Sequence, residues 1–206
     1  MKCEASSKEH GATLVATILG VKKLPFQPRS TSLMTMDPSI DGKFEVLCNQ
    51  ILRTDSEYWE IRNKAVLGLT SLTLQYEGAD AAKIQEIFNP NVFRMLKDPV
   101  KAVISDLRSQ QIRDICIFLI KVSEITKDHM KSFLREAFNF ILDGVKVPNR
   151  VMSGFVDHAI LTMIKNTTFK SCIPSLLSEI QYSKAKLVRE KCLVSYRSEN
   201  HHVFFP

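Results

Sequence analysis

One tryptophan and a spaced series of cations are the residues of this chain best equipped for chemistry, and the chemistry they suit is recognition rather than bond-making. Trp59 is the sole tryptophan among 206 residues. Arg108, Arg150, Lys184 and Lys186 follow it, each in or beside a short polar stretch between two apolar runs. An aromatic side chain at a turn can fill a pocket on a partner, and cations around it steer and hold an acidic surface. Each residue alone has a plainer role open to it: Trp59 can start a helix and pack on its own repeat, and a basic turn residue is most often a solvated charge. Their order is what informs. Successive turns offer Tyr58-Trp59, then Leu107-Arg108, then Lys146 with Arg150, then Lys184 with Lys186.

The sequence holds no C-x-x-C pair, no H-E-x-x-H, no G-x-S-x-G and no glycine-rich phosphate loop. His129 and His158 stand alone, and His201-His202 offers weak metal affinity at most. The chain is therefore read as non-enzymatic, with no cofactor, no metal and no small-molecule substrate. Cys3, Cys48, Cys116, Cys172 and Cys192 are odd in number, scattered and mostly inside apolar runs, the pattern of reduced core thiols. Asn166-Thr167-Thr168 fits a glycosylation acceptor, but that motif acts only in a secreted chain. Lys2, Glu4, Lys8 and Glu9 cancel where a signal peptide needs positive charge. The apolar run from Gly11 to Val21 is about half the ~20 residues a spanning helix needs, so no membrane partner is expected. With 28 Lys+Arg against 22 Asp+Glu, the net charge of +6 favours an acidic partner, for which nucleic acid and acidic protein both qualify.

The elements that must position these residues are helices. Apolar residues make up 45% of the chain and recur at three- and four-residue spacing, and only 7 Gly and 8 Pro interrupt them. An all-α fold follows. The pattern Ile61-Arg62-x-x-Ala65 returns as Ile112-Arg113-x-x-Cys116 and Val188-Arg189-x-x-Cys192, with Val151-Met152 opening a comparable run. A branched residue and a small one four positions on share a helix face, so each such helix can seat closely on a neighbour. The registers 62, 113, 152 and 189 lie 51, 39 and 37 residues apart. These intervals bracket the roughly 40 to 47 residues of HEAT and armadillo repeats, so the chain reads as an α-solenoid of stacked antiparallel helix pairs.

Helices are expected over 39–52 and 59–75, 90–105 and 109–124, 130–142 and 151–165, and 171–182 and 187–196, with Thr54 and Glu57 spaced as a capping box before the second. Residues 1–38 read as a flexible leader, 39–196 as about four repeats, and 197–206 as an irregular tail without helical period. Asp55 and Asp106 each lie seven residues before an arginine, Arg62 and Arg113, so a turn carboxylate can bond an arginine within or between repeats. Leu187, Cys192 and Leu193 are expected on an uncovered terminal face, over which Val203, Phe204 and Phe205 could fold back.

Several segments resemble the TOG domain, a tubulin-binding HEAT solenoid, and most closely that of the CLASP group. Tyr58-Trp59-Glu60-Ile61-Arg62-Asn63-Lys64-Ala65 resembles D-W-E-x-R-x-x-A, with Tyr58 in place of the usual Asp. Asp106-Leu107-Arg108-Ser109-Gln110, followed by Ile112-Arg113-Asp114-Ile115-Cys116, resembles D-L-R-S-Q-x-V-R-E-A-C. Val151-Met152-Ser153 resembles the third-repeat V-M-A, the stretch 167–177 resembles T-x-x-P-R-L-I-P-x-L, and Val188-Arg189-Glu190-Lys191-Cys192 resembles the fourth-repeat V-R-R-R-C. The match covers about residues 40 to 194, whereas a full TOG domain has six repeats.

The resemblance implies non-catalytic binding of the tubulin heterodimer or the microtubule lattice through the turns within repeats. Trp59 is then the contact with β-tubulin, and Arg108, Arg150 and Lys184 or Lys186 meet acidic tubulin surface. It also implies a cytoplasmic, cytoskeletal setting on microtubules, with spindle, centrosome or cilium as variants. Rival readings are a TOG-type binder of the ciliary kind, a HEAT scaffold that uses its helical faces, and a nucleic-acid-binding solenoid. The lack of interleaved aromatic and basic residues speaks against the last.

Overall fold

Helix follows helix, as the apolar periodicity requires. The computed structural model describes residues 39–53 and 59–204, with side chains as far as Ser198, and no strand occurs among them. The α-helices are α1 (Ile40–Ile51), α2 (Trp59–Leu74), α3 (Ala81–Ile87), α4 (Pro90–Ile104), α5 (Ser109–Thr126), α6 (Lys131–Asp143), α7 (Arg150–Asn166), α8 (Ile173–Tyr182) and α9 (Lys186–Phe204). Short 3-10 turns at Lys127–Met130, Gly144–Lys146 and Lys170–Cys172 lead into α6, out of α6 and into α8. Four antiparallel pairs result, α1/α2, α4/α5, α6/α7 and α8/α9. The second helices α2, α5, α7 and α9 pack in sequence to form one layer, and α1, α4 and α6 form the other.

Caps fix where several helices begin. Asn89 accepts bonds from the Asn91 and Val92 amides at 2.9 and 3.1 Å ahead of Pro90, whose missing N–H costs nothing at a first helical position. Asn149 does the same for Val151 and Met152 at 3.0 and 3.3 Å. The sequence reading missed α3. Seven residues make fewer than two turns and carry too little apolar periodicity to register, although Asp80 caps the helix through the Lys83 amide at 2.8 Å.

The repeated branched-and-small pattern does what its spacing implies. Ile112, Val188, Ala65, Cys116 and Cys192 are all buried, with Ile61 half-buried, so the small residues let neighbouring second helices approach. Aromatic rings join the repeats on the other layer: Phe44 meets Phe88 edge-on at 5.7 Å, Phe88 lies 6.2 Å from Phe93, and Phe93 lies 5.8 Å from Phe133. Cys48, Cys116, Cys172 and Cys192 are buried thiols. Burial pushes Cys48 and Cys116 up to about 12 and Cys192 to about 11, so none of these three supplies thiolate near neutrality. Cys3 lies outside the described residues.

Polar ties cross every repeat boundary. Arg62 bridges the first repeat to Asp106 of the second at 2.8 Å. The second and third are tied by Lys97–Glu136 at 3.1 Å and by the Asn166 amide on Ser123 at 3.0 Å, and the Thr168 amide bonds Asp128 at 2.6 Å between the turns that flank the third. The bond from Thr168 also holds the Asp128 carboxyl below its usual range. Lys146–Glu179 at 2.7 Å and Lys191 on Ser153 at 3.0 Å tie the third and fourth.

The carboxylate-to-arginine spacing resolves in favour of the inter-repeat bond. Asp106 reaches back to Arg62, while Arg113 pairs with its own neighbour Asp114 at 2.9 Å. Asp55 and the proposed Thr54–Glu57 box lie outside the described residues, as does the leader 1–38.

Two expectations at the C-terminal end are corrected. The stretch after Tyr196 is not irregular, because α9 continues to Phe204. Residues 197–204 contain no Gly or Pro, and extending a helix already anchored by buried Val188, Cys192 and Ser195 adds a bond per residue without a new nucleus. Cys192 lies on the buried face of that helix, so only Leu187 and Leu193 of the expected trio are exposed. The side chains of Val203, Phe204 and Phe205 lie outside the described residues.

Gly144 sits where the third repeat closes on the second. A Cβ there would lie 3.0 Å from Ile104 Cγ2 and 3.1 Å from Val156 Cγ2, both on branched side chains with little χ1 freedom in a helix. Gly144→Ala should therefore lower stability by about 1 kcal/mol, overpacking outweighing the smaller entropic gain of alanine in the unfolded chain. A urea midpoint that stays or rises would show that the neighbours yield freely.

Candidate partner-binding edge

The turns between paired helices set the position of each sequence-selected residue. Trp59 is the first residue of α2, and its side chain remains 38% exposed. Arg108 is the residue immediately before α5, and its guanidinium carbon lies 5.9 Å from the centroid of the Trp59 ring. At that distance the cation sits within range of the negative face of the indole. Two residues 49 positions apart in sequence thus meet on consecutive repeats.

Both are held from behind. Asp106 accepts the Arg108 amide at 2.9 Å and pairs with its guanidinium at 3.3 Å, while its other oxygen receives Arg62 at 2.8 Å. Arg62 donates further to the backbone carbonyls of Ile51, at 3.0 Å, and of Arg53. Gln111, buried in α5, donates to the Trp59 carbonyl at 3.3 Å and fixes the start of α2 against the second repeat. A relay of Arg62 and Asp106 therefore holds Arg108 against the tryptophan ring.

The remaining cations are more loosely placed. Arg150 is the first residue of α7 and is exposed, and Lys184 is exposed in the turn before α9. Lys186 is exposed and pairs only loosely with Glu190, at 3.6 Å. None of the three forms an ion pair or ring contact with the Trp59–Arg108 pair among the described residues. Lys146, by contrast, is committed to Asp143 at 2.8 Å and Glu179 at 2.7 Å, and these bonds raise its pKa. Its charge serves the repeat junction.

The sequence names Leu107 beside Arg108 at the second turn without counting it among the contact residues. It stands 90% exposed at the tip of the second turn, next to Arg108 and so beside the tryptophan. The signal was present, since a leucine between two charged residues in a three-residue turn has no helix face to bury it. Val151, exposed beside Arg150, repeats the arrangement at the third turn. The edge thus combines an oriented aromatic, apolar tips and cations, a composition suited to protein recognition. No group of three His, Cys, Asp or Glu able to hold a metal occurs among the described residues, and no described helix is long and apolar enough to cross a membrane.

No protein-family model matches the chain. Over 147 residues, 69% of its length, it is 32% identical to CLIP-associating protein 1-A of Xenopus laevis and 33% identical to CLIP-associating protein 1 of Xenopus tropicalis. CLIP-associating protein 1-B of Xenopus laevis is 31% identical over the same length. The aligned part makes up 9% of each relative. The chain therefore belongs to the CLIP-associating protein group, as the homologue of a segment that spans 9% of those relatives.

Proposed function

We propose that this chain binds tubulin, as heterodimer or lattice, through the edge formed by its intra-repeat turns, and regulates microtubule dynamics or stability without catalysing a reaction. The observation that carries the reading is the Trp59–Arg108 pair, oriented at 5.9 Å from two consecutive repeats with Leu107 exposed beside it. A ring already seated by its neighbours loses little freedom on binding, so more of its contact energy reaches the complex. Trp59 and Leu107 supply the apolar centre against β-tubulin. Arg108, Arg150, Lys184 and Lys186 supply the basic rim against acidic surface.

Capture of purified tubulin by the full chain tests this, with Arg108, Arg150, Lys184 and Lys186 changed to Glu singly and together. Each reversal should weaken association, and the quadruple variant should lose roughly tenfold or more at low ionic strength, with a shallower salt dependence than the parent. Unchanged association of the quadruple variant at low salt would remove the basic edge from the mechanism. Absence of capture by the parent chain would overturn the tubulin reading itself.

A further inference from the structure

We propose that the edge opposite the Trp59 turn binds an extended, carboxylate-rich peptide of another protein through Lys127, Lys131, Lys165 and Lys170. These lysines come from two turns that stand apart in sequence. The Thr168 amide donates to Asp128 at 2.6 Å, which joins the turn after α5 to the turn after α7. Each lysine lies within three residues of one end of that bond, so its Cα stands within roughly 10 Å of a bonded residue. All four are exposed, and none belongs to an ion pair among the described residues. After the bonds from Thr168, the charge of Lys131 also helps to hold the Asp128 carboxyl below its usual range, which places that lysine beside it. Since α5 runs for 18 residues, the patch stands roughly 27 Å from Arg108, and a partner on one edge leaves the other open.

Local structure does not account for these lysines. Lys127 adopts φ 45, in the region that favours glycine. Lys131 is the first residue of α6 and Lys170 opens the 3-10 turn into α8, and a cation is unfavourable at a helix start. Only Lys165, in the last turn of α7, suits its helix. Three departures from local preference within one patch mark charge held for a contact outside the chain. Phosphate-bearing partners fit it less well. The two turns carry no arginine to fork onto a phosphate, and Met130 and Phe169 are buried, so no aromatic or large apolar side chain stands ready for a base or a bilayer. Ammonium groups on flexible stems suit a run of carboxylates.

Fluorescence anisotropy of a labelled deca-glutamate peptide, titrated with the full chain at low ionic strength, tests the assignment, with circular dichroism as the control for folding. The parent chain should bind the peptide, and added salt should weaken the complex. Changing Lys127, Lys131, Lys165 and Lys170 together to Gln should weaken binding roughly tenfold. Changing Lys64, Lys83, Arg94 and Lys101 to Gln removes the same charge from other exposed positions and should weaken it by less than about twofold. No binding by the parent chain, or an equal loss in the two variants, would overturn the proposal. Tighter capture of a DNA duplex or of phosphatidylserine vesicles than of the peptide, lost in the first variant, would overturn it as well, because the partner would then carry phosphates.

Discussion

Replacing Trp59 with glutamate should abolish capture of tubulin while the helical circular dichroism stays unchanged. Loss of an aromatic anchor at the centre of an interface costs about 2 kcal/mol or more, a factor of roughly thirty in affinity. The substitution also sets a carboxylate against an acidic partner surface, which adds repulsion to the lost contact. The fold should tolerate it. Position 59 is the first residue of α2, where negative charge is favourable to the helix dipole, and the new carboxylate can pair with Arg108 in place of the ring contact. Normal binding by the variant, or its unfolding, would show that Trp59 packs the first two repeats together and anchors nothing outside them.

Arg62→Ala is expected to have the largest effect on stability, on the order of 3 kcal/mol. Arg62 and Asp106 form an ion pair that is largely withdrawn from solvent, and removing Arg62 leaves the buried carboxylate with only the half-exposed Arg108 to balance it. The carbonyls of Ile51 and Arg53 lose their donor in the same step. Arg62→Lys should recover little, because one ammonium cannot occupy the three directions filled by the Nε and both terminal nitrogens of the guanidinium. Because each repeat leans on its neighbour, the loss should appear as faster amide exchange in α1, and the loosened Asp106 should also release Arg108 and weaken tubulin binding. Urea unfolding that shifts by less than about 0.5 kcal/mol would place Arg62–Asp106 among ordinary screened surface pairs.

The relay also explains why Leu107 stands out as it does. Asp106 turns inward to two arginines, and the short turn leaves the next side chain pointing away from the helices. On the proposed reading, recognition at this edge therefore also depends on residues such as Arg62 and Asp106 behind it.

What the sequence determined by itself was whatever repeats or punctuates locally. The spacing of Ile61 with Ala65, Ile112 with Cys116 and Val188 with Cys192 specified helix faces, because periodicity acts within a turn or two of chain. The same local reading placed Trp59 and Arg108 at turns. It failed where local signal was thin, at the seven-residue α3 and in the polar end of α9, whose helix is propagated from an anchored start and needs no apolar stripe of its own. Only the tertiary structure decided that Asp106 bonds Arg62 rather than Arg113, that Lys146 is consumed at a repeat junction, and that Arg108 covers Trp59. Those choices depend on how one helix pair is set upon the next, through contacts 33 to 49 residues apart along the chain that no periodicity encodes.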